Sequence, residues 1–223
     1  MFNNSKYSNV LTIVLVIAII LVISIIGIII FRIYRSKNLA SDAALAATAF
    51  EEQTNTNNNI ASNKVDITGV DGTNIVVTDS QASTSNPNKY KGFNVVGTIE
   101  IPKINIKYPI LEKLTKKSLE TSVVLLYTAQ GVNEPGNTVI IGHNYRNSTM
   151  FSKVKNLSNG DIIYITDAQG RKIEYEVYNK YNTSGNDGEY ITRNTQGARE
   201  ISLSTCTDDS KARTIVWAKE KTH

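Results

Sequence analysis

The sequence predicts a mostly-β fold, a barrel or a sandwich with minor helices, carried behind a transmembrane helix and a polar stalk. Three observations lead there. An uncharged run rich in Ile, Val and Leu extends unbroken from Val10 to Phe31. Residues 53–88 are dominated by Asn, Thr, Ser and Asp. From Lys89 onward, short β-rich runs recur between turn signals, the pattern of an all-β domain.

Residues 1–9 read as a short cytoplasmic tail and residues 10–31 as the membrane anchor. At ~1.5 Å per residue the run is long enough to cross a ~30 Å hydrocarbon core. A soluble core helix would carry a polar stripe, and this run has none. Small residues at Ala43-Ala44-Leu45-Ala46-Ala47 offer a cleavage site, but the run exceeds the ~7–15 residues of a signal-peptide core, so the anchor is expected to stay. Flanking charge leaves sidedness open. Arg32, Arg35 and Lys37 outweigh Lys6 and would hold the following domain in the cytoplasm, yet long domains cross regardless of such bias.

Residues 32–88 are expected to form a polar, flexible stalk. Ser36–Glu52 is Ala-rich and favours a short helix above the membrane. Beyond it the composition cannot bury enough apolar surface to offset ordering entropy, apart from β-like patches at Val65–Ile67 and Asn74–Thr78.

Residues 89–223 form the globular part, long enough for one core. Strands are expected at Val95–Ile101, Ser122–Tyr127, Thr138–Gly142, Asp161–Thr166, Lys172–Tyr181, Glu200–Thr205 and Thr214–Ala218. Glu134-Pro135-Gly136-Asn137, Ser158-Asn159-Gly160-Asp161 and Asp167-Ala168-Gln169-Gly170 supply turns between them. Ile173, Tyr175 and Val177 alternate with Glu174, Glu176 and Tyr178, the period of a half-buried strand. Met150, Phe151, Val154 and Leu157 lie at helical spacing and predict a short helix over Ser148–Leu157.

The chain carries a net charge of +4 over 223 residues, and no basic run with interleaved aromatics points to nucleic acid. One cysteine rules out an intramolecular disulfide. No Cys/His cluster has metal-ligand spacing and no Gly-rich phosphate loop occurs, so the sequence calls for no cofactor.

Chemistry concentrates at three strand ends. Cys206 closes Ile201-Ser202-Leu203-Ser204-Thr205-Cys206 and precedes a solvated loop, Thr207 to Lys211. His143 closes Thr138-Val139-Ile140-Ile141-Gly142-His143 and also precedes a polar loop. Arg213 opens the final apolar run. Taken singly, each has an ordinary explanation: a buried thiol, a surface imidazole, a solvated charge. Together they make a nucleophile, a proton carrier and a charge stabiliser for acyl transfer. His223, the other histidine, is terminal and expected to fray.

Leu203-Ser204-Thr205-Cys206 followed by Arg213 resembles the active-site motif of the sortase family. Gly97-Thr98-Ile99-Glu100-Ile101-Pro102-Lys103-Ile104 resembles that family's first core strand and proline-containing turn. Glu134-Pro135-Gly136-Asn137 with Val139 to His143 resembles the segment delivering its histidine, and Phe151, Leu157 and Gly160-Asp161 resemble the helix and turn after it. The resemblance covers Val95–Lys219. It implies a closed sortase-type β-barrel of about eight strands with one or two short helices. It also implies an extracellular catalytic domain on a single-pass anchor.

Under this resemblance Cys206 is the nucleophile, His143 the general acid/base and Arg213 the stabiliser of oxyanion and substrate. The implied reaction cleaves an LPXTG-like sorting signal between Thr and Gly through a thioacyl-enzyme. The acyl group then passes to an amine of a cell-wall (peptidoglycan) precursor, or to water. The implied partners are surface proteins bearing C-terminal sorting signals. By analogy the loop between the strands at Lys172–Tyr181 and Glu200–Thr205 selects the peptide; its polar, glycine-bearing composition predicts mobility, with Tyr190, Ile191 and Thr205 as peptide contacts. No second apolar span follows the domain in these 223 residues, and residues 32–92 hold no Asp-Pro-aromatic lid. Both features point to a class D-like or general anchoring enzyme rather than a pilus polymerase. Two rivals stand beside this reading. Other cysteine–histidine wall enzymes place the cysteine before the histidine or carry a Ser-x-Gly-Cys-type turn, whereas the order here is His, Cys, Arg. A catalytically inactive membrane-anchored binding protein on the same barrel would keep the fold without the turnover.

Overall fold

The computed structural model describes residues 4–62 and 88–222, and the chain divides into two compact units, Met1–Leu39 and Ala40–His223. The two β-like patches of the predicted stalk and His223 lie outside the described residues. Helix α1 (Asn4–Ser62) runs through the first unit and into the second. In the first unit every side chain from Leu11 to Arg35 is exposed. This stretch of helix is long and apolar enough to cross a membrane.

In the second unit the strands are β1 (Lys89–Tyr90), β2 (Phe93–Ile101), β3 (Ile106–Leu111), β4 (Val123–Thr128), β5 (Gly136–Ile141), β6 (Ile162–Asp167), β7 (Lys172–Ser184), β8 (Arg199–Cys206) and β9 (Ala212–Glu220). They form one sheet in the order β1-β2-β3-β4-β5-β8-β9-β7-β6, and β2 pairs again with β6. That last pairing turns β2 to β9 into a closed eight-stranded barrel with no free edge among them. Closure selects the barrel over the sandwich. Ile99, Ile101, Ile110, Leu111, Ile163 and Ile165 are fully buried in its main hydrophobic cluster.

Besides the two-residue β1, three elements differ from the sequence expectation. Strand β3 contains Pro109, a residue that argues against a central strand, yet Thr98 and Pro109 face each other across the β2–β3 ladder. Helix α2 (Lys116–Thr121) is fixed by a capping box in which the Thr115 hydroxyl accepts from Ser118 N–H at 3.0 Å and Thr115 N–H donates to Ser118 Oγ at 2.8 Å. The helix expected over Ser148–Leu157 is a single 3-10 turn at Val154–Asn156, preceded by a loop with Arg146, Ser148 and Met150 at positive φ.

The largest correction concerns the stalk. Residues Ala40 to Thr56 are helical and packed on the barrel rather than free above it. Ala43, Ala47, Phe50 and Thr54 recur at helical spacing and are buried. Glu51 accepts from Thr98 Oγ1 at 2.5 Å and from Lys107 Nζ at 2.7 Å. Asp42 accepts from the Tyr90 hydroxyl at 3.2 Å and pairs with Lys91 at 2.7 Å. One phenylalanine among alanines makes too thin a stripe for sequence periodicity to register, but small residues let the helix lie close.

Candidate active site

Strand register assembles the site. β5 and β8 run parallel with Ile141 opposite Ser204. Two residues further along each chain stand His143 and Cys206. β8 and β9 run antiparallel with Cys206 directly opposite Arg213. Neighbouring strands lie ~4.8 Å apart, so the three predicted residues meet at one end of the barrel on adjacent strand ends.

The backbone between them is pinned. Gly142 N–H donates to Ser204 O at 3.2 Å, and the Thr205 hydroxyl donates to Gly142 O at 2.8 Å. A Cβ at Gly142 would lie 2.8 Å from Phe151 Cγ and 3.0 Å from Val123 Cγ1, two fully buried side chains. Only glycine lets the strand approach the core this closely just before His143.

His143 and Cys206 are both half-buried, and among the described residues no hydrogen bond joins imidazole to thiol. The His143 ring lies 4.9 Å from the Tyr145 ring, centroid to centroid. Desolvation pulls its pKa below the ordinary histidine value, while the Glu120 carboxylate works weakly in the other direction. Neutral imidazole is therefore its resting form near pH 7. The Arg213 guanidinium donates through Nε to Gly185 O at 3.2 Å, tying the end of β9 to the loop after β7.

Of the three predicted peptide contacts, two are interior. Tyr190 is 3 % exposed, packs with Val139 and Ile215, and accepts from the Ser204 hydroxyl at 3.2 Å. Thr205 is 3 % exposed and committed to Gly142. Only Ile191 is half-exposed, beside Tyr181 and Trp217 in the same apolar cluster. Tyr190 and Thr205 thus sit behind the surface and shape it.

The β7–β8 loop is also better held than its composition predicts. Asn137 on β5 donates its amide to the carbonyls of Tyr190 and Ile191, both at 2.9 Å, and accepts from Ser202 Oγ at 2.9 Å. Arg193 forms an ion pair with Glu200, side chains 12 % and 13 % exposed, and lies over the Trp217 ring at 4.6 Å. Tyr178 donates to Glu200 at 2.6 Å; burial, with that bond, pushes its pKa up to about 12. Sequence reading missed Asn137, Arg193 and Glu200. Asn137 stood in view, in the turn motif before His143, but its partners lie 53 and 54 residues away.

Among the described residues no group of three His, Cys, Asp or Glu side chains is placed to hold a metal ion. The arrangement offers nucleophilic acyl transfer: a thiol, a neutral imidazole and a permanent cation at one strand-end cluster.

Comparison with known proteins agrees. The sortase domain family model matches residues 99–221. Sortase A of Bacillus anthracis is 31% identical over 121 residues, covering 52% of this chain and 56% of that protein. The chain thus spans about half the length of this curated relative. Among solved structures, a Clostridium perfringens sortase D5 transpeptidase superimposes with TM-score 0.53 at 30% identity, covering 58% of this chain and 80% of its own. A lid mutant of sortase A from Corynebacterium diphtheriae gives TM-score 0.54 at 26% identity, covering 64% and 83%. With a family model matched across more than half its length and the closed barrel those relatives share, this chain belongs to the sortase family.

Proposed function

We propose that the chain is a membrane-anchored cysteine transpeptidase that cleaves LPXTG-like sorting signals and transfers the acyl part to a cell-wall precursor amine. The observation that carries this reading is the meeting of Cys206, His143 and Arg213 on three adjacent strand ends. The Cys206 thiolate attacks the carbonyl carbon of the Thr–Gly bond, and the negative charge gathers on the carbonyl oxygen. Arg213 cannot deprotonate near neutrality, so its N–H groups stabilise that oxygen. Collapse expels the glycine amine, which takes a proton from His143 in its imidazolium form. The acceptor amine then attacks the thioester and gives its proton back to His143, and the thiolate leaves.

Burial of His143 disfavours the imidazolium, so the acid step draws on a minority form while the base step uses the resting one. Ile191, with Tyr181 and Trp217 around it, offers an apolar wall for the peptide, shaped from behind by Tyr190 and Thr205. The apolar helix holds the domain at the outer face of the membrane. Similarity to a sortase D5 supports a class D-like or general anchoring role rather than pilus polymerisation.

The test incubates the full chain in detergent with an LPXTG-type peptide library and hydroxylamine, and follows products and Cys206 adducts by mass spectrometry. Cleavage with a thioacyl adduct, abolished in Cys206→Ala and His143→Ala and strongly reduced in Arg213→Ala, is the expected result. Silence from a folded, thiol-reactive protein across the library would overturn it in favour of a binding role.

A further inference from the structure

His143 and Cys206 sit at the start of two different loops, and no direct hydrogen bond between their side chains sets their spacing. Something else has to. The loop after His143 is unusually wound: Arg146, Ser148 and Met150 all have positive φ, at 57°, 71° and 47°. Residues in such conformations persist only where neighbours over-determine them. Here an Asx turn from Arg146 N–H to Asn144 Oδ1, at 3.0 Å, starts the loop, and Phe151 N–H donates to His143 O at 3.1 Å to close it.

The two loops are then joined side by side. The Asn144 amide donates to Cys206 O at 2.9 Å and to Asp208 Oδ1 at 2.9 Å. Lys155 pairs with the other oxygen of Asp208, and Arg146 donates to Ser210 Oγ at 2.7 Å. Following Gly142 N–H to Ser204 O and Thr205 Oγ1 to Gly142 O, the Asn144 bond to Cys206 O continues the β5–β8 link beyond the end of β5.

We propose that Asn144 is a positioning residue that fixes the registry of the His143 imidazole against the Cys206 thiol by clamping the two loops together. It touches no reacting atom in this arrangement. Its amide bonds the carbonyl of the nucleophile's own residue while its backbone follows directly on from the proton carrier. Losing the clamp lets the loops slide while leaving thiol, imidazole and peptide-binding wall intact. The loss should therefore appear in kcat and not in KM. The bonds of Asp208 to Lys155 and Asn144 hold its carboxyl below the usual carboxylate range, so the clamp is charged and formed at neutral pH.

The inference rests on the catalytic roles proposed above, and its test separates the two. The full chain in detergent is assayed with a cleavable LPXTG-type peptide for wild type, Asn144→Ala, Asn144→Asp, Asp208→Asn and the reciprocal double variant that combines Asn144→Asp with Asp208→Asn. Asn144→Ala is expected to lower kcat by roughly 10–100-fold, the scale of a misplacement of about 1 Å, with KM within about twofold. Asn144→Asp sets a carboxylate against two acceptors and is expected to fall further. In the reciprocal variant the amide introduced at position 208 can donate to the carboxylate introduced at position 144. Part of that loss is then regained, which a merely structural lesion would not show. Alkylation of Cys206 by iodoacetamide should keep its wild-type rate in Asn144→Ala, which adds no charge beside the thiol. Should Asn144→Ala fail to fold, the exposed partner variant Asp208→Asn carries the same prediction at smaller size. Wild-type kcat in the Asn144 variants, or a change confined to KM, would overturn the clamp while Cys206→Ala and His143→Ala stay dead. Turnover surviving in those two would overturn the catalytic reading itself.

Discussion

Replacing Phe50 with alanine in the fragment that begins at Ala40 probes how firmly the helical segment is held on the barrel. A buried aromatic removes ~150–250 Å² from water, which at ~25 cal/mol per Å² is about 4–6 kcal/mol of transfer free energy. Alanine retains part of that, and a compact unfolded state trims the rest, so about 3 kcal/mol is the working figure. Phe50 is 1 % exposed and the only large side chain in its buried stripe, beside Ala43, Ala47 and Thr54. The barrel is closed without the helix, so the loss falls on docking first. Amide exchange is the suitable assay. Protection of residues 43–54 should fall by roughly 150-fold, while the β8 and β9 amides lose much less. A fragment starting at Lys89 should remain folded and melt below the parent. Unchanged exchange and melting in Phe50→Ala would refute the reasoning, because the polar bonds of Glu51 and Asp42 would then be holding the helix without the apolar contact.

Two further predictions follow from the site. The His143 imidazole, followed by NMR and identified by its absence in His143→Ala, should titrate below the ordinary histidine midpoint of about 6.5, and Glu120→Gln should move it lower still. Because the folded state binds this proton less readily than the unfolded chain, the group's contribution weakens the fold as pH falls through 6.5 and vanishes above it. A midpoint above 6.5 would contradict the burial argument. Breaking the Arg193–Glu200 pair by Arg193→Met leaves a carboxylate largely desolvated at a cost of about 3 kcal/mol, felt mainly as loosening of the β7–β8 loop. Limited proteolysis should then cut within residues 185–194 and KM for the peptide should rise; an uncut loop with unchanged KM would show that Asn137 alone suffices.

Seven of the nine described strands were legible as short apolar runs between turn signals, because alternation and turn chemistry are local properties. The two missed strands each have a local reason: β1 is only two residues long, and β3 carries Pro109 where a ladder partner is expected. The catalytic candidates were legible too: Cys206 and His143 stood out as a lone cysteine and a lone internal histidine at strand ends, whereas Arg213, one of several arginines, was singled out by the resemblance to sortases. What sits behind them was not. Tyr190 looked like a loop residue free to meet a peptide, and its burial depends on Asn137, Ser204 and Ile215 arriving from other strands. Arg193 and Glu200 carry no local signal in the sequence, and only the fold of the loop over Trp217 makes them a half-buried pair.

The sequence by itself determined the apolar span, the β-rich domain and the residue types available for chemistry, because each depends on composition or on spacing along a single element. Tertiary structure decided that the sheet closes, that β5, β8 and β9 lie side by side so His143, Cys206 and Arg213 meet, and that an Ala-rich segment docks rather than dangles. Those outcomes turn on pairings between residues far apart in the chain, where shape and hydrogen-bond registry choose the partner and no local pattern names it.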